Sequence, residues 1–287
     1  MTAREEIDRA YRLYDKGDWN QSFKVLDRIK DSNSQETMEI LVLYAWIHWK
    51  KGEKSNATYY WIMVSNSKEA SDVIKSSAHA GLGIYYAEKG DKKEALKHAQ
   101  FAQDLLPKEA TANQNKNLNA CGITMAKIGE LGKSEEILKK VAKINEQLMK
   151  SDDPKIAKEG TLQRAKNGYN LVALVYIPQK RFYEAITELE EEVIPRYKVI
   201  GAETDLAAAY HRIAEVNEKI AEGARPTGEM IALGSALLAE EKSLFFWQKH
   251  PDDPKRIKTA RDNVKRIKDK IEALKLLGIM LRELKIK

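Results

Sequence analysis

A turn that recurs between helical stretches constrains this chain more than any other feature. Gly17, Gly52, Gly90, Gly129 and Lys180 fall at turn positions that are 35, 38, 39 and 51 residues apart. The unit at residues 80–107, AGLGIYYAEKGDKKEALKHAQFAQDLLP, has the frame in full. One helix carries Leu82, Gly83 and Tyr86 and breaks at Gly90-Asp91; a second carries Ala95, Ala99 and Ala102 and stops at Pro107. Gly83 and Ala95 are small where two antiparallel helices cross. Gly90 ends a helix in the left-handed conformation at low cost, and proline cannot continue a helix interior. A helix hairpin cannot bury its own apolar face, so hairpins repeated at this interval stack on one another.

Gly83, Tyr86, Gly90, Ala95, Ala102 and Pro107 follow the pattern of a tetratricopeptide repeat (TPR), and the unit closely resembles that family. The frame recurs with decay. Residues 10–29 carry Gly17-Asp18-Trp19 and Ser22; residues 41–64 carry Ala45, Gly52, Ala57 and Trp61. Residues 118–141 carry Gly122, Gly129 and Ser134; residues 169–193 carry Ala173, Tyr176, Phe182 and Ala185 around a turn at Pro178 and Lys180 that lacks the glycine. A sixth, poorer unit runs from about 203 to 249, with Ile213, Ala214 and Asn217, the loop GARPTG (223–228) and a long second helix. The intervals exceed the family's period of about 34, so several helices or connections here are longer. The resemblance implies an all-α fold, a right-handed α-solenoid of about six TPR-like hairpins.

Composition agrees. The 287 residues are 43% hydrophobic and 32% charged, which supports a folded core, and 15 glycines and 7 prolines are too few for a chain of tight β turns. A single cysteine, Cys121, excludes an internal disulfide and a cysteine-rich zinc site, and fits a reducing compartment. No apolar run approaches the roughly 18–20 residues of a membrane span, and MTAREEIDRA has no apolar leader core. The expectation is a cytoplasmic protein.

The charge is unevenly placed. The last 37 residues hold 12 basic and 6 acidic side chains, which accounts for the whole net charge of +6. After Pro251 and Pro254, Ile257, Ala260, Val264, Ile267, Ile271, Leu274 and Leu281 recur in steps suited to one long amphipathic helix, with Gly278 interrupting. The domain reading is therefore a repeat domain over 1–250 and a basic capping helix over 251–287, since the last repeat of an array has an apolar face to cover. Lys255, Arg256, Lys258, Arg261, Lys265, Arg266 and Lys268 form either a solvated outer face or a contact for an acidic partner, nucleic acid or anionic membrane. No aromatic residue lies in 251–287 for base stacking or membrane anchoring. The apolar end, LKLLGIMLRELKIK (274–287), suits capping alone or capping with self-association as a homodimer.

No catalytic constellation emerges, and no cofactor or metal is expected. His48, His79, His98, His211 and His250 include no HExxH pair, and there is no GxSxG or glycine-rich phosphate loop. His79 and His98 can meet across one hairpin, but with no carboxylate in the motif they read as packing or surface residues. Cys121 reads as a buried thiol, and Glu188, Glu190, Glu191 and Glu192 as a solvated helix face. The expected function is non-catalytic: an adaptor or scaffold that binds a protein or extended peptide in the concave groove lined by first helices.

Helical spacing projects Tyr11, Trp46, Trp49 and Ile84 onto that groove early in the chain. Lys116, Asn119, Ile123, Asn167, Asn170 and His211 follow, with Arg164 and Arg212 near the rim. Trp46 and Trp49 are either groove anchors or core, while Tyr60 and Trp61 read as core. Asn119, Asn167 and Asn170 suggest a ladder, because an asparagine amide can bond both groups of a peptide unit; the plainer reading is solvated side chains, with 113–117 a helix start and loop. The family's carboxylate-gripping subclass places lysines and asparagines where this chain has Ile7, Tyr11 and Leu43, so that activity does not carry over. Peptide-pheromone receptors with repeats of similar spacing bind peptide through groove asparagines, a more general likeness.

Overall fold

In the computed structural model, residues 2–106 and 112–285 are described, and among them there are helices and no strand. The chain divides into two compact units, Met1–Ile144 and Asn145–Lys287. The composition-based boundary at 250/251 falls inside the second.

The first unit is a succession of helix hairpins: α1 (Ala3–Asp15) with α2 (Trp19–Leu26), α3 (Ser34–Lys50) with α4 (Lys54–Asn66), and α5 (Asp72–Glu88) with α6 (Lys92–Asp104). The fourth joins α7 (Ala112–Lys127) to α8 (Leu131–Leu148), whose last turn belongs to the second unit. Gly17, Gly52, Gly90 and Gly129 all have positive φ, between 79° and 89°. This left-handed conformation turns the chain between two helices. Asp18 and Asp91, next in sequence, then accept hydrogen bonds from the first-turn N–H groups of Gln21 and Glu94, so a glycine stop is followed at once by an aspartate start.

Five residues after each turn lies a fully buried small residue: Ser22, Ala57, Ala95, Ser134 and, in the second unit, Ala185. The residue twelve earlier is small each time: Ala10, Ala45, Gly83, Gly122 and Ala173. The two serines are substitutes that bring their own hydrogen bond. Ser22 donates to the Ala10 carbonyl and Ser134 to the Gly122 carbonyl, both at 2.8 Å. A buried hydroxyl is therefore satisfied at a crossing built for a methyl group.

Between hairpins, Trp61 fills a slot whose opposite wall is Gly81. A β-carbon there would stand 2.2 Å from Trp61 Cε2. Within the fourth hairpin, Gly122 makes room for the branched end of Leu138, whose Cδ2 would stand 2.7 Å from a β-carbon there. Pro107, expected to stop α6, lies outside the described residues; α6 ends at Asp104 before it. The asparagine-rich stretch does not stay loop. Asn115 and Asn117 are buried in α7, and Asn117 donates to the Val73 carbonyl and to Ser76 Oγ.

The second unit opens with α9 (Pro154–Leu171), which runs on into a π-helical turn at Val172–Tyr176. Lys180, with φ at 58°, takes the turn position that glycine holds elsewhere. The return helix comprises α10 (Phe182–Thr187), a second π-helical segment at Glu188–Val193 and α11 (Ile194–Ile200), closed by Gly201. The 51-residue interval between Gly129 and Lys180 is filled by two 18-residue helices, α8 and α9, and the π-helical turn at Val172–Tyr176. Next come α12 (Glu203–Glu222) and α13 (Pro226–Gln248), then α14 (Pro254–Lys285). Gly278 does not break α14. Ala260 and Ile257 pack on Ala207 and Trp247, and Val264 and Ile267 are buried as well. The terminal helix thus covers the last hairpin with its apolar face. In the apolar end, Leu274 is half-buried and Leu276 and Leu277 are exposed, while the side chains from 279 onward, Leu281 among them, lie outside what is described. No helix among the described residues is long and apolar enough to cross a membrane.

Candidate functional site

In the first unit, the projected groove residues are largely engaged in the fold. Tyr11 packs half-buried against the cluster of Ile7, Leu43 and Ile47, and burial beside Glu39 pushes its hydroxyl pKa well up. Trp46 donates its Nε1–H to Ser77 Oγ at 3.0 Å and meets Trp61 edge-on, with ring centroids 4.9 Å apart. Trp49 tilts onto the same ring at 5.5 Å, and Lys54 Nζ lies over the Trp49 ring, 5.3 Å from its centroid. Both indoles pack against the core while half-buried. Ile84 is a correction: it is 6% exposed and sits in the core with Ala99 and Cys121. Ile123 packs against that same cluster. Lys116 reaches Asp15 at 2.9 Å, so the first helices of hairpins one and four are tied together. Asn119 is half-buried.

The first helices of the second unit hold a denser set of polar groups. Asn167 is buried in α9 and Asn170 half-buried one turn later. Tyr169, between them, accepts a hydrogen bond from Arg212 of α12 at 3.1 Å, and the guanidinium also lies over the Tyr169 ring at 5.3 Å. Arg212 donates further to Glu215. Beside it, His211 Nδ1 lies 2.8 Å from Glu240 Oε2. The Glu240 side chain is 1% exposed and that of His211 is 42% exposed. Glu240 Oε1 accepts from Asn263 of α14 at 3.1 Å. The hydrogen bond to Glu240 raises the His211 pKa. A buried acid on α13 thus favours a cation on the accessible face of α12.

Arg164 was placed near the rim by spacing, and the structure corrects this. It is 5% exposed and bonds Glu188 Oε1 and Glu192 Oε2, each at 2.7 Å, and Glu146 at 3.2 Å. The acidic run is therefore only half a solvated face: Glu190 and Glu191 are exposed, while Glu188 and Glu192 turn inward. Gly168 permits this approach, since a β-carbon there would stand 2.5 Å from Glu188 Oε1. Sequence reasoning missed this cluster, and its signal was small: a glycine one helical turn after an arginine.

On α14, the basic residues divide. Arg266 and Lys270 pair with Glu218, Lys268 pairs with Glu241 at 2.8 Å, and Arg256 pairs with Asp253 while lying over the Trp247 ring. Lys255, Lys258, Arg261 and Lys265 are exposed on successive turns of the helix. Part of the basic tail thus fastens the helix to its own unit.

His79 of α5 and His98 of α6 meet with their Nδ1 atoms 2.9 Å apart. Burial, together with His98, Lys75 and Lys97, pushes the His79 pKa down to about 4. Among the described residues, no three or more of His, Cys, Asp and Glu converge as a metal cage.

No family model matches the chain, and no curated protein matches it. Among solved structures, it is similar to the C-terminal part of a TPR repeat-containing protein from Cytophaga hutchinsonii. The identity is 17%, the match covers 92% of this chain and 88% of that one, and the TM-score is 0.37.

Proposed function

We propose that this protein is a non-catalytic interaction module that binds an extended segment of a partner protein. The polar contacts are assigned to the first helices of the second unit, at Asn170, His211 and Arg212. The observation that carries this reading is the pairing of His211 with the buried Glu240. A partly exposed imidazole held by a buried carboxyl group presents a fixed donor whose orientation is set before any partner arrives, and such preorganisation lowers the cost of binding. Arg212, braced by Tyr169, adds a second set of N–H donors next to it. Together they suit the carbonyl and carboxylate oxygens of a peptide segment, which an arginine fork binds well.

The test compares the full chain with the double variant His211→Ala/Arg212→Ala. A protein retained by the wild type is identified, its bound segment synthesised, and both proteins titrated with it. The expected loss is at least about 1 kcal/mol, a useful threshold for an interface contact. Circular dichroism checks that the variant keeps its helicity. Equal affinities in a folded variant would remove the second unit's first helices from the binding surface.

A further inference from the structure

We propose that His79 and His98 form a two-histidine chelate for an imidazole-seeking divalent ion, Zn(II), Ni(II) or Cu(II), bridging the two helices of the third hairpin. The two Nδ1 atoms are 2.9 Å apart, with ring centroids at 5.1 Å. Two imidazole nitrogens bound to one zinc ion, each at about 2.0–2.1 Å, stand roughly 3.3 Å apart when the angle between them is tetrahedral. The two nitrogens face each other nearly head-on, so binding requires each ring to rotate about its Cβ–Cγ bond, which separates the pair by a few tenths of an ångström and tilts both lone pairs toward a shared ion.

The surroundings favour this use of the rings. Metal-bound histidine ordinarily presents its other nitrogen to a carboxylate or carbonyl, which fixes the tautomer. The carboxylate nearest His98 is Glu94, whose Oε2 lies 3.9 Å from Nε2, beyond hydrogen-bond distance, and accepts from Lys97 at 3.0 Å. A proton held on Nε2 leaves the Nδ1 lone pair for the ion. With both rings neutral, one proton lies between the two Nδ1 atoms; on binding, the ring that carries it moves it to its own Nε2, and no proton is released. Tyr86 stacks on the His98 ring, 5.3 Å between centroids and 1° between planes, and Phe101 lies 5.3 Å from His79. These aromatic walls hold the ring positions. Water fills the remaining coordination positions, since the protein supplies two ligands. Imidazole suits zinc, nickel and copper over magnesium or calcium.

The experiment is titration of the chelator-stripped full chain with zinc, nickel or copper(II) chloride, and with magnesium chloride as the contrast. It is read by calorimetry, by melting temperature and by the imidazole proton resonances. The expected result is saturable binding of one transition-metal ion, a melting temperature that rises with its concentration, and shifts confined to two histidines. Binding is lost in His79→Gln and in His98→Gln, and kept in His250→Gln. Absence of binding in the wild type up to about 1 mM, or binding unchanged in the folded His79→Gln and His98→Gln variants, would overturn the assignment. The interaction surface proposed on the second unit is independent of either result.

Discussion

His211 Nδ1 lies 2.8 Å from an oxygen of Glu240, a side chain with 1% of its surface exposed. The hydrogen bond to Glu240 raises the folded-state pKa of His211. The sign of the linkage follows. A base whose pKa is higher in the folded state adds stability that is complete below the unfolded value, about 6.5 for histidine. That contribution is lost as pH rises through the folded value. The wild type should therefore exceed His211→Gln in melting temperature by more at about pH 6 than at about pH 9. Equal differences at both pH values would mean that the imidazole is not held as a cation.

Gly81 and Gly234 should respond in opposite directions to the same change. A β-carbon at Gly81 would stand 2.2 Å from Trp61 Cε2, whereas one at Gly234 would meet nothing within 4 Å. Gly81→Ala overpacks a core contact, at a cost of about 1–3 kcal/mol that a helix-propensity gain of about 1 kcal/mol does not reverse at most points in that range. Gly234→Ala should stabilise by about 0.5–1 kcal/mol, the usual gain in a helix interior. Urea midpoints of the two variants decide the matter, and a stabilised Gly81→Ala would show that Trp61 does not occupy that slot.

Lys180 holds a left-handed conformation, with φ at 58°. This conformation costs an L-residue about 1–2 kcal/mol, and part of the gain from glycine is offset by about 0.4–1 kcal/mol of added freedom in the unfolded chain. Lys180→Gly should raise stability by a few tenths to about 1 kcal/mol. Thermal melts will show it, and a lower melting temperature would contradict the turn geometry.

Cys121 is buried, and burial pushes its thiol pKa up to about 12. The thiolate is the reactive form, so a thiol reagent such as Ellman's should leave the native protein unmodified. It should react fully once guanidinium unfolds the chain. Rapid labelling under native conditions would mean that α7 does not pack on α6 as described.

The hairpin frame was legible because turn chemistry is local. A glycine that must take positive φ is required by its own backbone, and an aspartate beside it caps the next helix through groups three residues away. Lys180 could be placed by its neighbours, Pro178 before it and Ala185 after it, although its residue type argues against a turn. The meeting of His79 and His98 was likewise readable, since one hairpin sets their heights. Ile84 shows where spacing ran out. Helical periodicity ranks the faces of a helix, but the neighbours on both sides decide which face is covered, and α6 and α7 bury this one.

The sequence by itself determined the helical class, the turn positions, the small crossing residues and the apolar seam of the last helix. Each depends on backbone conformation or on contacts between helices joined by a short turn. Only the tertiary structure decided the partners of the charged and polar groups. Lys116 reaches Asp15, 101 residues away, and Arg266 reaches Glu218, 48 away. Arg164 gathers Glu146, Glu188 and Glu192, and His211 finds Glu240. A charge can be satisfied by any opposite charge that packing brings within reach, and periodicity within one helix carries no information about which one that is.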